Sequence, residues 1–137
     1  MPSASDELKR VALFADLSDR QRRKLAANFR ERRFRPGMDV VREGSMSGIG
    51  FFVVTDGEAV VDRGGSEVAR LSAGDHFGEL AMIANTQRTA TVTARTDLRC
   101  LEIAFSDFRR FAQANPDVMW KLLQHVVSLL PLDDARR

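Results

Sequence analysis

The stretch Phe77–Val92, FGELAMIANTQRTATV, decides how the chain is read. A Gly-Glu-Leu-Ala segment, Gly78–Ala81, is followed seven residues later by Arg88-Thr89-Ala90-Thr91-Val92. An acid, a turn glycine, a short apolar stretch and one arginine fall together where a strand pattern breaks. Gly78 lets the backbone approach a neighbour closely. Leu80–Ala84 can form one helical turn, whose free N–H groups favour an anion. Arg88 carries a planar, permanently charged guanidinium that can give two parallel hydrogen bonds to phosphate oxygens. Glu79 can accept a hydroxyl proton in a charge-assisted bond of ~1.5–3 kcal/mol. The set suits a small ligand with a sugar hydroxyl and one phosphate charge. Each residue also has a plainer role: Arg88 as a surface arginine on a strand, Gly78 as a turn, Glu79 in a salt bridge with a nearby arginine.

Outward from this stretch the pattern is β-rich. The runs VVREG, GFFVVTDG, EAVVDRGG, EVARL and SAGDHFGE alternate with glycine turns between Phe34 and Glu79. Short strands punctuated this often predict a compact antiparallel barrel or roll. Arg63-Gly64-Gly65-Ser66 reads as a hairpin turn. Two more strands are expected at about 88–94 and 98–104. Before the roll, Leu13 and Phe14 open an apolar cluster. Ser18 reads as an N-cap with Gln21 as its capping-box partner, so a helix is expected near 19–30 with a basic outer face. After the roll, Phe108, Phe111 and Ala112 share a helical face. Asn115-Pro116 breaks that helix, and Pro116 starts another whose stripe is Val118, Leu122, Val126 and Leu129. Pro131 stops it, and the last six residues read as a frayed tail.

The totals place this with ordinary globular domains. The chain has 137 residues, 44% apolar and 29% charged, with a net charge of only +2. That is one domain with a real core and no global call for nucleic acid. From Asp19 to Arg35 eight basic residues face Asp19 and Glu31, which reads as a solvated arginine-rich face. No apolar run approaches the ~18 residues of a membrane span, and MPSASDELKR has no apolar signal core, so a cytoplasmic protein is expected. The single cysteine, Cys100, reads as a reduced buried thiol.

The FGELA…RTATV pattern closely resembles the phosphate-binding cassette of cyclic nucleotide-binding domains, the family of kinase regulatory subunits, nucleotide-gated channels and catabolite activator proteins. The order of helix, roll and two closing helices is similar over nearly the whole chain, as are RPGMDVVREG, VVTDGEAVV and LSAGDHFGEL. The resemblance implies a mainly β fold, a jelly-roll-like antiparallel β-roll with an N-terminal helical segment (1–33), the roll (34–104), closing helices (105–131) and a tail (132–137). It implies a ligand site of Phe77, Gly78, Glu79, Leu80, Ala81, Arg88, Thr89 and Ala90. Glu79 would read the ribose 2′-hydroxyl, Arg88 the phosphate, and the amides of Leu80, Ala81 and Ala90 would assist. Thr89 would admit cGMP, with cAMP slightly favoured. Leu122, Val126, Leu129 and Leu130 are candidates for a lid over the base. The same stripe also fits plain core or a homodimer seam.

The function expected is a sensor that binds cAMP or cGMP as ligand, with no other cofactor. It would signal by moving its closing helices against a separate effector protein. A ligand-free docking module on the same fold is the alternative. An enzyme is not expected. Metal-dependent β-rolls cluster histidines with an acid, whereas His76 and His125 stand far apart in the sequence without ligand spacing.

Overall fold

The computed structural model describes residues 3–45, 50–84 and 87–129. The N-terminal layer is α1 (Ala4–Lys9), one tight helical turn at Ala12–Phe14, and α2 (Asp19–Ala26). Eight strands follow among the described residues: β1 (Arg30–Phe34), β2 (Asp39–Val41), β3 (Gly50–Asp56), β4 (Ala59–Arg63), β5 (Ser66–Leu71), β6 (His76–Phe77), β7 (Thr91–Ala94) and β8 (Leu98–Ala104). A short helix, α3 (Glu79–Ala84), interrupts them, and α4 (Phe105–Ala114) and α5 (Pro116–Ser128) close the chain. The strands form two antiparallel sheets of order β1-β8-β3-β6 and β2-β7-β4-β5. This is the mainly β roll with flanking helices that the sequence predicts.

Two hydrophobic clusters share β3. Phe52 and Val54 face the inside of the roll with Phe34, Ala59, Phe77, Val92, Leu98 and Cys100. Phe51 and Val53 face the helices with Leu8, Phe14, Leu25, Leu101, Ile103, Phe108 and Leu122. A strand buried on both faces must be apolar at consecutive positions, which is why GFFVV does not alternate. Phe14 is the keystone of the helical side. It meets Phe51 edge-on at 6.4 Å and Phe108 at 6.2 Å between ring centres.

Local signals fixed several boundaries. Ser18 and Gln21 form the expected capping box, with Gln21 N–H donating to Ser18 Oγ at 3.1 Å and Ser18 N–H to Gln21 Oε1 at 2.8 Å. Arg63 pairs with Ser66 across the Gly64-Gly65 turn, where both glycines have positive φ. Pro116 occupies the first turn of α5.

Other expectations are corrected. The helix near 19–30 ends at Ala26, and the roll begins at Arg30, not Phe34. RERRF pairs with β8, whose one acid lies opposite it: Arg30 and Arg32 both donate to Glu102 Oε1, at 3.0 and 2.7 Å. The basic stretch is thus a solvated face except at two positions. Arg20, Arg23, Lys24, Arg30, Arg33 and Arg35 are exposed as expected, but Arg32 is half-buried, and Arg22 is buried and donates to the carbonyls of Ala15 and Leu17. Arg88–Ala90 precedes β7 as a loop rather than opening it. An unforeseen helix, α1, is capped by Ser3 and tied to β8 by Arg99, which grips the Glu7 carboxylate at 2.6 and 2.9 Å.

Cys100 lies wholly buried in the roll, and burial pushes its thiol up to about 12. The native protein at pH 8 is therefore expected to leave an aromatic disulfide reagent uncleaved, while denatured chain reacts with one equivalent. Rapid colour release from the folded protein would show that the roll opens on the timescale of the assay. No helix among the described residues is long and apolar enough to cross a membrane.

Candidate functional site

The site forms where β6 runs into α3. His76 and Phe77 complete β6, and the chain must then turn at once into a helix. Gly78 makes that turn with φ of 101°. A Cβ there would lie 2.9 Å from the Gly50 carbonyl oxygen and 3.0 Å from an Arg88 nitrogen, so both the conformation and the space exclude a side chain. Phe77 stacks on Phe52 at 4.9 Å and anchors the turn to the roll interior. Glu79 opens α3, one residue earlier than the helical turn expected at Leu80.

Arg88 reaches the same place from the other side. It is 4% exposed, donates to the Gly50 carbonyl at 2.9 Å, and holds its guanidinium carbon 5.3 Å above the Phe105 ring. It is not the solvated strand arginine of the plainer alternative. It ties the start of β3 to the start of α4. Burial lowers its proton affinity and the Glu102 carboxylate opposes that shift. An arginine so placed stays a cation.

Glu79 is 5% exposed. Its partners are histidines rather than an arginine. His125, on α5, has Nε2 2.7 Å from Glu79 Oε1, and His76 has Nδ1 3.5 Å from Glu79 Oε2. Burial would push the carboxyl up, but His76 and then His125 hold it below the ordinary glutamate value. The two imidazole centres lie 4.7 Å apart. The expectation that His76 and His125 are remote from each other is thus corrected. They are 49 residues apart in the chain, yet β6 and α5 bring them to one carboxylate.

Phe77, Gly78, Glu79, Leu80, Ala81, Arg88, Thr89 and Ala90 all line one cavity of about 420 Å3. That volume lies within the ~300–1,000 Å3 usual for small-molecule sites. Val41, Val61, Leu71 and Val92 of the second sheet supply an apolar wall that the sequence did not single out. Its signal was alternation along β4 and β7, where every second residue faces inward. Thr89 is exposed at the rim, and its carbonyl accepts a hydrogen bond from Arg63 Nε at 3.1 Å. Thr91 lies outside the lining and accepts from the Glu43 amide at 2.9 Å.

The lid candidates separate. Val126 and Leu129 line the cavity. Leu122 does not: it is 3% exposed and belongs to the helical core. Leu130 lies outside the described residues. His125 was missed as a site residue, although it follows Leu122 by three and precedes Leu129 by four, on the face that meets the cassette.

A model of the cyclic nucleotide-binding domain matches residues 31–115. The chain belongs to the cyclic nucleotide-binding domain family. A cAMP-dependent protein kinase regulatory subunit from Yarrowia lipolytica is 39% identical over 105 residues, covering 75% of this chain and 28% of that protein. The chain thus spans little more than a quarter of that relative's length. The regulatory domain of Toxoplasma gondii PKA, solved with cAMP, superposes with a TM-score of 0.80 at 29% identity, over 93% of this chain and 49% of that one. The catabolite activator protein of Thermus thermophilus shares the fold, with a TM-score of 0.80 at 24% identity over 90% of this chain and 60% of its own. The Yarrowia and Toxoplasma relatives are regulatory parts of cAMP-dependent kinases. The family match stops at Asn115, so α5 and His125 lie beyond it.

Proposed function

We propose that this domain binds a cyclic nucleoside monophosphate and reports it to a separate protein through its closing helices. One observation carries the proposal: a buried carboxylate, Glu79, and a buried guanidinium, Arg88, line the same cavity with a glycine turn between sheet and helix. In the bound state Arg88 would clamp the phosphate with help from the amides of Leu80, Ala81 and Ala90, and Glu79 would accept the ribose 2′-hydroxyl. Val126 and Leu129 would cover the base. cAMP is the favoured ligand, and the Thr89 hydroxyl at the rim admits cGMP.

Coupling would run through Arg88. Its partners include the Gly50 carbonyl and the Phe105 ring at the head of α4. A phosphate drawing the guanidinium inward would loosen both and shift the packing of α4 and α5, a change of population between two arrangements. The outer face of α5 leaves Met119, Trp120, Leu123 and Val127 exposed, offering a surface for an effector or a second copy of the chain. A ligand-free docking module is the second reading, favoured by the 2.7 Å contact that already occupies Glu79.

Calorimetric titration of the nucleotide-stripped protein with cAMP, then cGMP, separates the two. Saturable binding near one per chain is expected, weaker for the 2′-deoxy analogue by about 1.5–3 kcal/mol. Neither heat nor thermal stabilisation with either nucleotide would leave the docking module as the function.

A further inference from the structure

We infer that His76, Glu79 and His125 form a zinc site that staples α5 to the cassette. One ligand atom from each of His76, Glu79 and His125 lies within 4.8 Å of the other two. Both histidines already touch the carboxylate, His125 Nε2 at 2.7 Å from Oε1 and His76 Nδ1 at 3.5 Å from Oε2. Zinc bonds to imidazole and carboxylate run ~2.0–2.2 Å, which sets tetrahedral ligand spacings of about 3.3–3.5 Å. Side-chain movements of about an ångström bring all three atoms to that spacing.

The electrostatics ask for a cation. Among the described residues, His76 Nδ1 and Glu79 Oε2 are buried and face each other at 3.5 Å, with no hydrogen bond to any other group. One proton between Glu79 and His125 satisfies only that pair. A divalent ion satisfies both orphaned atoms and the third ligand together. Two imidazoles and one carboxylate are the borderline donor set that suits zinc, and three protein ligands leave a fourth position for water. The His76 ring lies 5.3 Å from the Phe51 ring, which holds its orientation. All three residues line the cavity, so the ion reaches them from solvent.

The ligands come from β6, α3 and α5. Bound zinc therefore fastens the closing helix and takes the carboxylate that a ribose would need. The zinc site stands without nucleotide binding; only the competition rests on the proposed function.

The test is titration of the untagged, EDTA-treated protein with zinc alone, by calorimetry and by competition with a chromophoric chelator. Cobalt provides a visible-absorption signature of the ligand set. The background is low, because the chain has only two histidines and its one cysteine is buried. One zinc per chain at micromolar or tighter affinity is expected. His125→Ala and His76→Ala should each weaken it at least ~10-fold, since loss of a ligand's outer-shell partner alone costs about 10–100-fold. His125 is 35% exposed, so its truncation leaves the fold intact, and circular dichroism checks this. No stoichiometric uptake below about 100 µM, or equal uptake by His125→Ala, overturns the site. Adding cAMP should weaken zinc binding, and zinc should weaken cAMP binding by the same factor. Zinc binding unaffected by saturating cAMP overturns the competition. Failure of cAMP to bind in EDTA counts against the nucleotide proposal, while the zinc titration still decides the metal site.

Discussion

Replacing Arg88 by alanine is expected to weaken cAMP binding by about 2–5 kcal/mol, the cost of leaving a buried charge without its partner. The guanidinium lies inside the fold at the edge of the ligand cavity, whereas Arg63, the other arginine of the lining, is exposed and bonded to the Thr89 carbonyl. Lysine should recover only part of the loss, since a point charge cannot give the paired planar hydrogen bonds of arginine. Folding must be measured alongside, because Arg88 also holds the Gly50 carbonyl and faces Phe105. A melting curve near that of the parent, with binding lost, would assign the effect to the ligand. Unchanged affinity in a folded Arg88→Ala protein would remove Arg88 from the site and with it the proposed phosphate clamp.

Truncating Phe14 to alanine carries the largest expected stability effect, about 3–5 kcal/mol. Its ring is wholly buried between Phe51 of β3 and Phe108 of α4. Removing it opens a void at the joint of three layers: the N-terminal turn, the sheet and the closing helices. These neighbours sit on different elements, so one cannot move inward without dragging its own layer. The melting temperature should fall by on the order of 10 °C. A fall of less than about 3 °C would mean that the helical layer slides to fill the gap. That outcome would also show that α4 moves easily, as the proposed coupling requires.

What was legible in the sequence was local or periodic. Ser18 and Gln21 announce a helix start because both partners of the capping box lie within one turn. Gly64-Gly65 and Asn115-Pro116 mark breaks by backbone chemistry alone. The cassette was legible because its glycine, acid and arginine fall within one short segment, Gly78 to Arg88, and all eight candidates do line one cavity. Features made by distant partners were hidden. RERRF reads as part of a basic helix until Glu102, some 70 residues on, pairs with Arg30 and Arg32 across the strand. The six residues of α1 are too few for a periodic signal, and the Glu7–Arg99 pair that holds them spans most of the chain. His125 looks like one more position on an amphipathic helix, and only the turn of α5 over the cassette gives it Glu79.

The two-faced burial of β3 bears on how the molecule comes apart. Its residues alternate between the cluster inside the roll and the cluster beneath the helices, so the two clusters share one wall. Neither can dissolve while the other keeps β3 in place, and neither can persist once β3 has left. The roll and the helical layer therefore unfold as one cooperative unit rather than as separable parts.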